Sequence, residues 1–164
     1  MAGDIFYKER AIVTLQDRTN TTALATGSGV VAATADLDVR SAGNVAEDFY
    51  GIFELLCRWA TITSIVKGTV AAELYLVPLI DGTNLPDVDL TAGTSAFPQS
   101  SFVGLFICDK APVAATDMRF PSGAVPLLPL LYRAYVLNKS GQTITTTSGT
   151  SWQLRVVTAR QQYT

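Results

Sequence analysis

Four hard-oxygen side chains crowd one short stretch: Asp81, Asn84, Asp87 and Asp89. Oxygen ligands at that density are what a calcium loop needs, but the spacing lacks the alternating ligands and distal bidentate Glu of an EF-hand. The same residues serve a turn. Asp81 and Asn84 bond nearby backbone, Gly82 takes positive φ cheaply, and Pro86 stops a ladder from continuing. Glu54, Glu73 and Asp109 have the right type for a glycosidase-like acid pair, yet nothing in the sequence brings two of them together. Trp59, Trp152, Tyr132 and Tyr135 have the flat faces of a sugar-stacking platform; aromatics at strand spacing more often fill a core. Histidine is absent, which removes the usual general base and the commonest metal ligand. Cys57 and Cys108 each sit in an apolar run and read as buried free thiols; two thiols without His make no zinc site. Asn20-Thr21-Thr22 and Asn138-Lys139-Ser140 match the glycosylation sequon and, with no secretory signal, read as chance matches. The sequence therefore does not read as an enzyme, and no catalytic residue, cofactor or metal site is expected.

The elements that would have to position these groups are strands. In Ala71–Ile80, Tyr75, Val77 and Leu79 alternate with Leu74, Leu76 and Ile80, so both faces are apolar and the strand must be covered twice. Residues 9–17 form an alternating strand, followed by a polar loop over 18–28 and two short β runs over 29–34 and 36–39. The segment 46–63 is ambiguous between helix and strand. Asn44 and Glu47 have capping-box spacing, and Phe49, Ile52, Phe53 and Leu56 share a helical face. Against this, Phe53, Leu55, Cys57 and Trp59 alternate as a strand, and Thr61-Ile62-Thr63 favours β. The strand is favoured over 51–63, pairing with 69–80 through a turn at Gly68. Leu90–Ser100 is a long loop; 101–108 is apolar on both faces; 116–120 is a short strand closed by Pro121-Ser122-Gly123. Residues 124–131 carry two prolines, which confine them to an edge or a connection. Strands at 132–137, 143–147 and from Trp152 onward complete the set, with Gly141 at a positive-φ turn and 160–164 as a polar tail. Eight to ten short strands with regular turn signals point to an all-β, antiparallel β-sandwich, jelly-roll-like, with long loops. It divides into an N-terminal arm over 1–8 and a single domain over 9–164.

Composition narrows the function classes. Hydrophobic residues make up 48% and charged residues 16% of the chain, against about 25% charged in an ordinary domain. That deficit leaves little charge to cover a free surface and favours assembly. Net charge is −2 without a run of either sign, so no nucleic-acid footprint is present. The N-terminus has no apolar signal core, and the most apolar segment, 124–137, is too short to span a bilayer. No membrane partner is expected, and synthesis in the cytoplasm is.

Three pieces carry a family resemblance: ELYLVPLIDGTNLPD over Glu73–Asp87, VPLLPLLYRAYVLNKSGQ over Val125–Gln142, and SGTSWQLRVVTARQQY over Ser148–Tyr163. In that order they resemble the head decoration, or cement, proteins of tailed bacteriophages, which are jelly-roll or related β-sandwich proteins. The resemblance covers the C-terminal half. It implies a non-enzymatic virion protein, made in the host cytoplasm and located on the outer capsid surface. There it would bind the major capsid protein, associate with itself as a dimer or trimer, and clamp neighbouring capsomers. On that reading the arm residues Asp4, Ile5, Phe6, Tyr7 and Lys8 and the loop residues Leu90, Phe97 and Pro98 are the expected contacts. The alternative is a carbohydrate- or receptor-binding β-sandwich, on a phage tail or as a soluble lectin-like protein, which needs exposed aromatics.

Overall fold

The computed structural model describes residues 5–9, 11–19, 23–40, 50–81, 101–145 and 152–163, with the backbone alone for 5–9 and 160–163. Ten strands are present among the described residues: β1 (Ile5–Glu9), β2 (Val13–Gln16), β3 (Gly29–Val31), β4 (Leu37–Asp38), β5 (Tyr50–Cys57), β6 (Val70–Pro78), β7 (Phe102–Ile107), β8 (Met118–Pro126), β9 (Leu131–Asn138) and β10 (Gln153–Tyr163). All pairings are antiparallel. One sheet runs β1-β10-β5-β8, with β2 also on β10; the other runs β3-β9-β6-β7, with β4 also on β9. If β1 and β2 count as one interrupted strand, and β3 and β4 as another, eight strands remain. Their sheet orders are then 1-8-3-6 and 2-7-4-5, the double Greek key of a jelly roll.

Alternation drives the packing. Phe53, Leu55 and Cys57 of β5, Leu154 and Val156 of β10, and Phe120 of β8 project from one sheet. They meet Leu74 and Leu76 of β6, Ala134 and Val136 of β9, and Phe106 of β7 from the other. Trp59 is fully buried beside Phe120, with ring centroids 5.9 Å apart and edge-on.

β8 shows how a strand carries two prolines. It is an edge, so Pro121 and Pro126 cost no ladder partner. The pairing jumps from Pro121–Glu54 to Ala124–Ile52, a bulge opposite Phe53. The Ser122 hydroxyl accepts the Phe53 N–H at 3.0 Å. The expectation that Pro121-Ser122-Gly123 closes this strand is corrected accordingly.

Other expectations change for topological reasons. Residues 50–57 are a strand and not a helix, but β5 ends at Cys57 and does not pair with β6. Residues 58–69 instead cross from one sheet to the other, with Gly68 at φ 90° as its turn. The polar tail is the end of β10, paired with β1 as far as Ile5–Tyr163. In place of a strand at 143–147 there is a single bridge, Leu24–Ile144; residues 146 and 147 lie outside the described set.

Candidate interaction surface

On the outer side of the β1-β10-β5-β8 sheet, alternation turns Tyr50, Ile52 and Glu54 of β5 away from the core that holds Phe53 and Leu55. Register then sets their neighbours. Ile52 lies opposite Val157 of β10 on one side and Ala124 of β8 on the other. Tyr50 lies opposite Ala159 and Pro126. These six residues form an apolar patch across three strands, and Ile52 and Tyr50 are 51% and 39% exposed at its centre. Contiguous exposed apolar surface of this kind marks interaction sites more often than scattered single residues do. Farther along β5 the face becomes charged. Glu54 accepts from Arg119 at 2.8 Å and pairs with Arg155 on the opposite side.

At the end of the sandwich beyond this charged row, Asp117 binds Arg18 at 2.8 Å and Arg58 at 2.9 Å. The hydrogen bond from Arg18 and then that from Arg58 hold its carboxyl below the usual carboxylate range, with partial burial opposing them.

The outer side of the β3-β9-β6-β7 sheet is different. Tyr75, Tyr135 and Leu137 form a second buried cluster, with Val31 packed against it. Tyr75 stacks edge-on with Tyr135 at 6.0 Å and with Phe102 at 5.6 Å. Tyr135 lies across Gly29 of β3: a Cβ there would sit 2.0 Å from its ring carbon Cζ. The Tyr75 hydroxyl donates to Glu73 at 2.6 Å, and burial followed by that carboxylate pushes the phenol above its ordinary range.

The candidate chemical groups disperse. Glu54 and Glu73 lie in opposite sheets and Asp109 is exposed at the end of β7; Glu54 and Glu73 are each engaged by cations. Trp59, Trp152 and Tyr135 are fully buried and Tyr132 nearly so, so they form no platform at the surface. Cys57 and Cys108 are free and buried, and burial raises both thiols above their ordinary range. Asn138, of the second sequon, is fully buried. Among the described residues no group of His, Cys, Asp or Glu is placed to hold a metal ion, and no helix is long and apolar enough to cross a membrane. Of the expected contacts, Ile5, Phe6, Tyr7 and Lys8 fall in β1, paired with Tyr163 to Arg160 of β10. Asp4, Leu90, Phe97 and Pro98 lie outside the described residues, as do Asn84, Asp87 and Asp89.

The patch centred on Tyr50 and Ile52 was missed in the sequence. The alternation of β5 was legible there, but its two neighbours, β8 and β10, are distant in the chain.

No family model matches the chain, and no curated protein matches it. Among solved structures, a chain from the structure of infectious bursal disease virus Gx strain is similar at a TM-score of 0.37 and 15% identity. The match covers 99% of this chain and 33% of that one, so the chain spans about a third of the length of the chain it matches. At that level the likeness fixes neither family nor role.

Proposed function

We propose that this chain is a structural virion protein that binds the outer surface of a phage capsid and stabilises it by clamping neighbouring capsomers. The observation that carries the reading is the partly exposed apolar patch of Tyr50, Ile52, Ala124, Pro126, Val157 and Ala159. Adhesion needs apolar surface and a rigid scaffold, and this face has both. At about 25 cal/mol per Å², covering a few hundred Å² contributes several kcal/mol before association costs. Many copies acting together then resist a load that one contact does not. The residue pattern of Glu73–Asp87, Val125–Gln142 and Ser148–Tyr163 supports the same reading through its resemblance to decoration proteins. The residues Ile5 to Lys8, in β1 of the same sheet as the patch, and the loop at Leu90, Phe97 and Pro98 are the further contacts of this reading. Jelly rolls serve capsids and lectins alike, but burial of the four aromatics weighs against the carbohydrate-binding alternative.

The test is copy number and co-sedimentation. Particles from the source are expected to contain this chain at a simple fraction of the shell protein by mass spectrometry. Purified wild-type protein is expected to rebind stripped particles, while Ile52→Lys binds at least tenfold more weakly and melts at the same temperature. Absence from particles overturns the virion role. Full binding by Ile52→Lys removes the patch from it.

A further inference from the structure

A two-sheet sandwich has four edges, and three of them here are blunted by recognised devices. β3 and β4 are three and two residues long. β8 carries Pro121, Pro126 and a bulge. β1 carries Lys8 and Glu9, and β2 on the same edge is only four residues long. Short strands, prolines, bulges and charges are how soluble proteins stop edges from pairing with other chains. β7 differs. Its sequence, Phe-Val-Gly-Leu-Phe-Ile, has no charge and no proline, and among the described residues it pairs with β6 alone. Two register shifts with β6 flank it, but Gly104–Phe106 stay in regular register with Leu74–Ala72. Phe102, Leu105 and Ile107 are 47%, 37% and 40% exposed.

We infer that the β7 edge left unpaired among the described residues is a self-association surface, pairing antiparallel with β7 of a second copy. The segment suits its own copy. Without charges, two β7 strands meet with no repulsion. A two-fold centred on Leu105 places Gly104 opposite Phe106 and Val103 opposite Ile107, so outward Leu105 meets outward Leu105. The same arrangement brings the partner's Ile107 end towards an apolar hollow of about 320 Å³ beside Phe102, lined by Val103, Pro126, Leu127, Leu130 and Tyr132. Main-chain hydrogen bonds hold such an added strand and side-chain fit selects it.

Area sets the strength. The exposed parts of the three outward side chains come to roughly 250 Å², against about 800 Å² per partner in a standard stable interface. The pairing is therefore weak in free solution and favoured where copies are held side by side. It deepens the self-association that the family resemblance implies and does not depend on binding to a shell.

Sedimentation velocity and amide exchange on the free full-length protein test it. Raising the concentration from about 5 to about 500 μM is expected to shift the chain to a dimer and to slow exchange of the β7 amides about tenfold, leaving β8 amides unchanged. Leu105→Lys is expected to stay monomeric with an unchanged thermal midpoint, and Ile52→Lys to dimerise like wild type. A protein that remains monomeric with concentration-independent β7 exchange overturns the inference. So does association that survives Leu105→Lys or disappears in Ile52→Lys. Because no shell is present, these results leave shell binding by the Ile52 face as a separate question.

Discussion

The outer faces of the two sheets start from similar alternation and end in opposite states. Across β3, β9, β6 and β7 the outward Tyr75, Tyr135 and Leu137 are buried and stacked within the chain. Across β10, β5 and β8 the outward Tyr50 and Ile52 remain at the surface, beside an ion-paired Glu54. An antiparallel sheet ordinarily buries one face and leaves the other wet. The sheet with β6 therefore departs from the rule, and the sheet with β5 follows it except at its apolar patch. The two faces divide accordingly: aromatic residues on one outer face are packed into the fold, while apolar residues on the other stay exposed.

A pair of substitutions, one on each outer face, tests that division directly. Tyr135→Ala removes a fully buried ring, with an expected loss of about 3–5 kcal/mol in urea unfolding. Ile52→Ala is expected to stay within about 0.5 kcal/mol, because it lies at the surface. Comparable losses at the two positions break the comparison. Gly29→Ala approaches the same ring from the other strand, and is expected to cost about 1–3 kcal/mol by forcing Tyr135 to shift.

A second prediction concerns what anchors the end of β9, the strand that carries Tyr135. Asn138 is fully buried and uses all four of its hydrogen-bonding positions. Its amide donates to the carbonyls of Leu24 and Gln142, each at 2.8 Å, and its oxygen accepts from the N–H and hydroxyl of Ser140 at 2.9 and 2.7 Å. Ser140 in turn accepts from the indole of Trp59 at 3.1 Å. Asn138 thus ties the turn after β9 to the Leu24 bridge, and Ser140 ties the same turn to the crossing loop. Asn138→Ala leaves several of these groups unsatisfied, and a loss of about 2–3 kcal/mol is expected. A loss below that of Gly29→Ala would move the anchor elsewhere.

Alternation and turn chemistry made the fold class legible. Both-sided apolarity in 71–80 announced that β6 is covered twice, and Tyr75 and Leu74 do fall in separate buried clusters. Ile80 was assigned to a covered face and is instead 81% exposed, because the strand ends at Pro78 and residue 80 belongs to the turn. Pairing was not legible. Gly68 correctly signalled a turn, yet a turn of that length leads across the core as readily as back along one sheet. In a jelly roll most consecutive strands change sheets, so local signals placed β5 beside β6 when its partners are β8 and β10. The apolar patch was hidden for the same reason: Ile52, Ala124 and Val157 become neighbours only through non-local register. Pro121 was taken as a terminator because its tolerance depends on β8 being an edge, a property of the sheet and not of the segment.

The smallest effect bears on the charged end of the sheet that carries Tyr50 and Ile52. Asp117 joins Arg18, just past β2, to Arg58, just past β5, and its carboxyl titrates below the usual range because both guanidinium groups bond it. A carboxyl with a lower pKa in the folded state stabilises the fold above its unfolded value of about 3.9, and that contribution disappears as pH falls through the folded value. The side chain is about one third exposed, so solvent screening limits the contribution to roughly 1 kcal/mol or less. Urea unfolding of wild type and Asp117→Asn at pH 7 is expected to show that gap, narrowing below about pH 4 as wild type loses its own charge. A gap that stays constant to pH 2.5 would assign the loss to side-chain packing and leave the ion pairs without net effect. The covered sheet supplies the control: Tyr135→Ala removes no carboxylate, so its cost should not narrow across the same range.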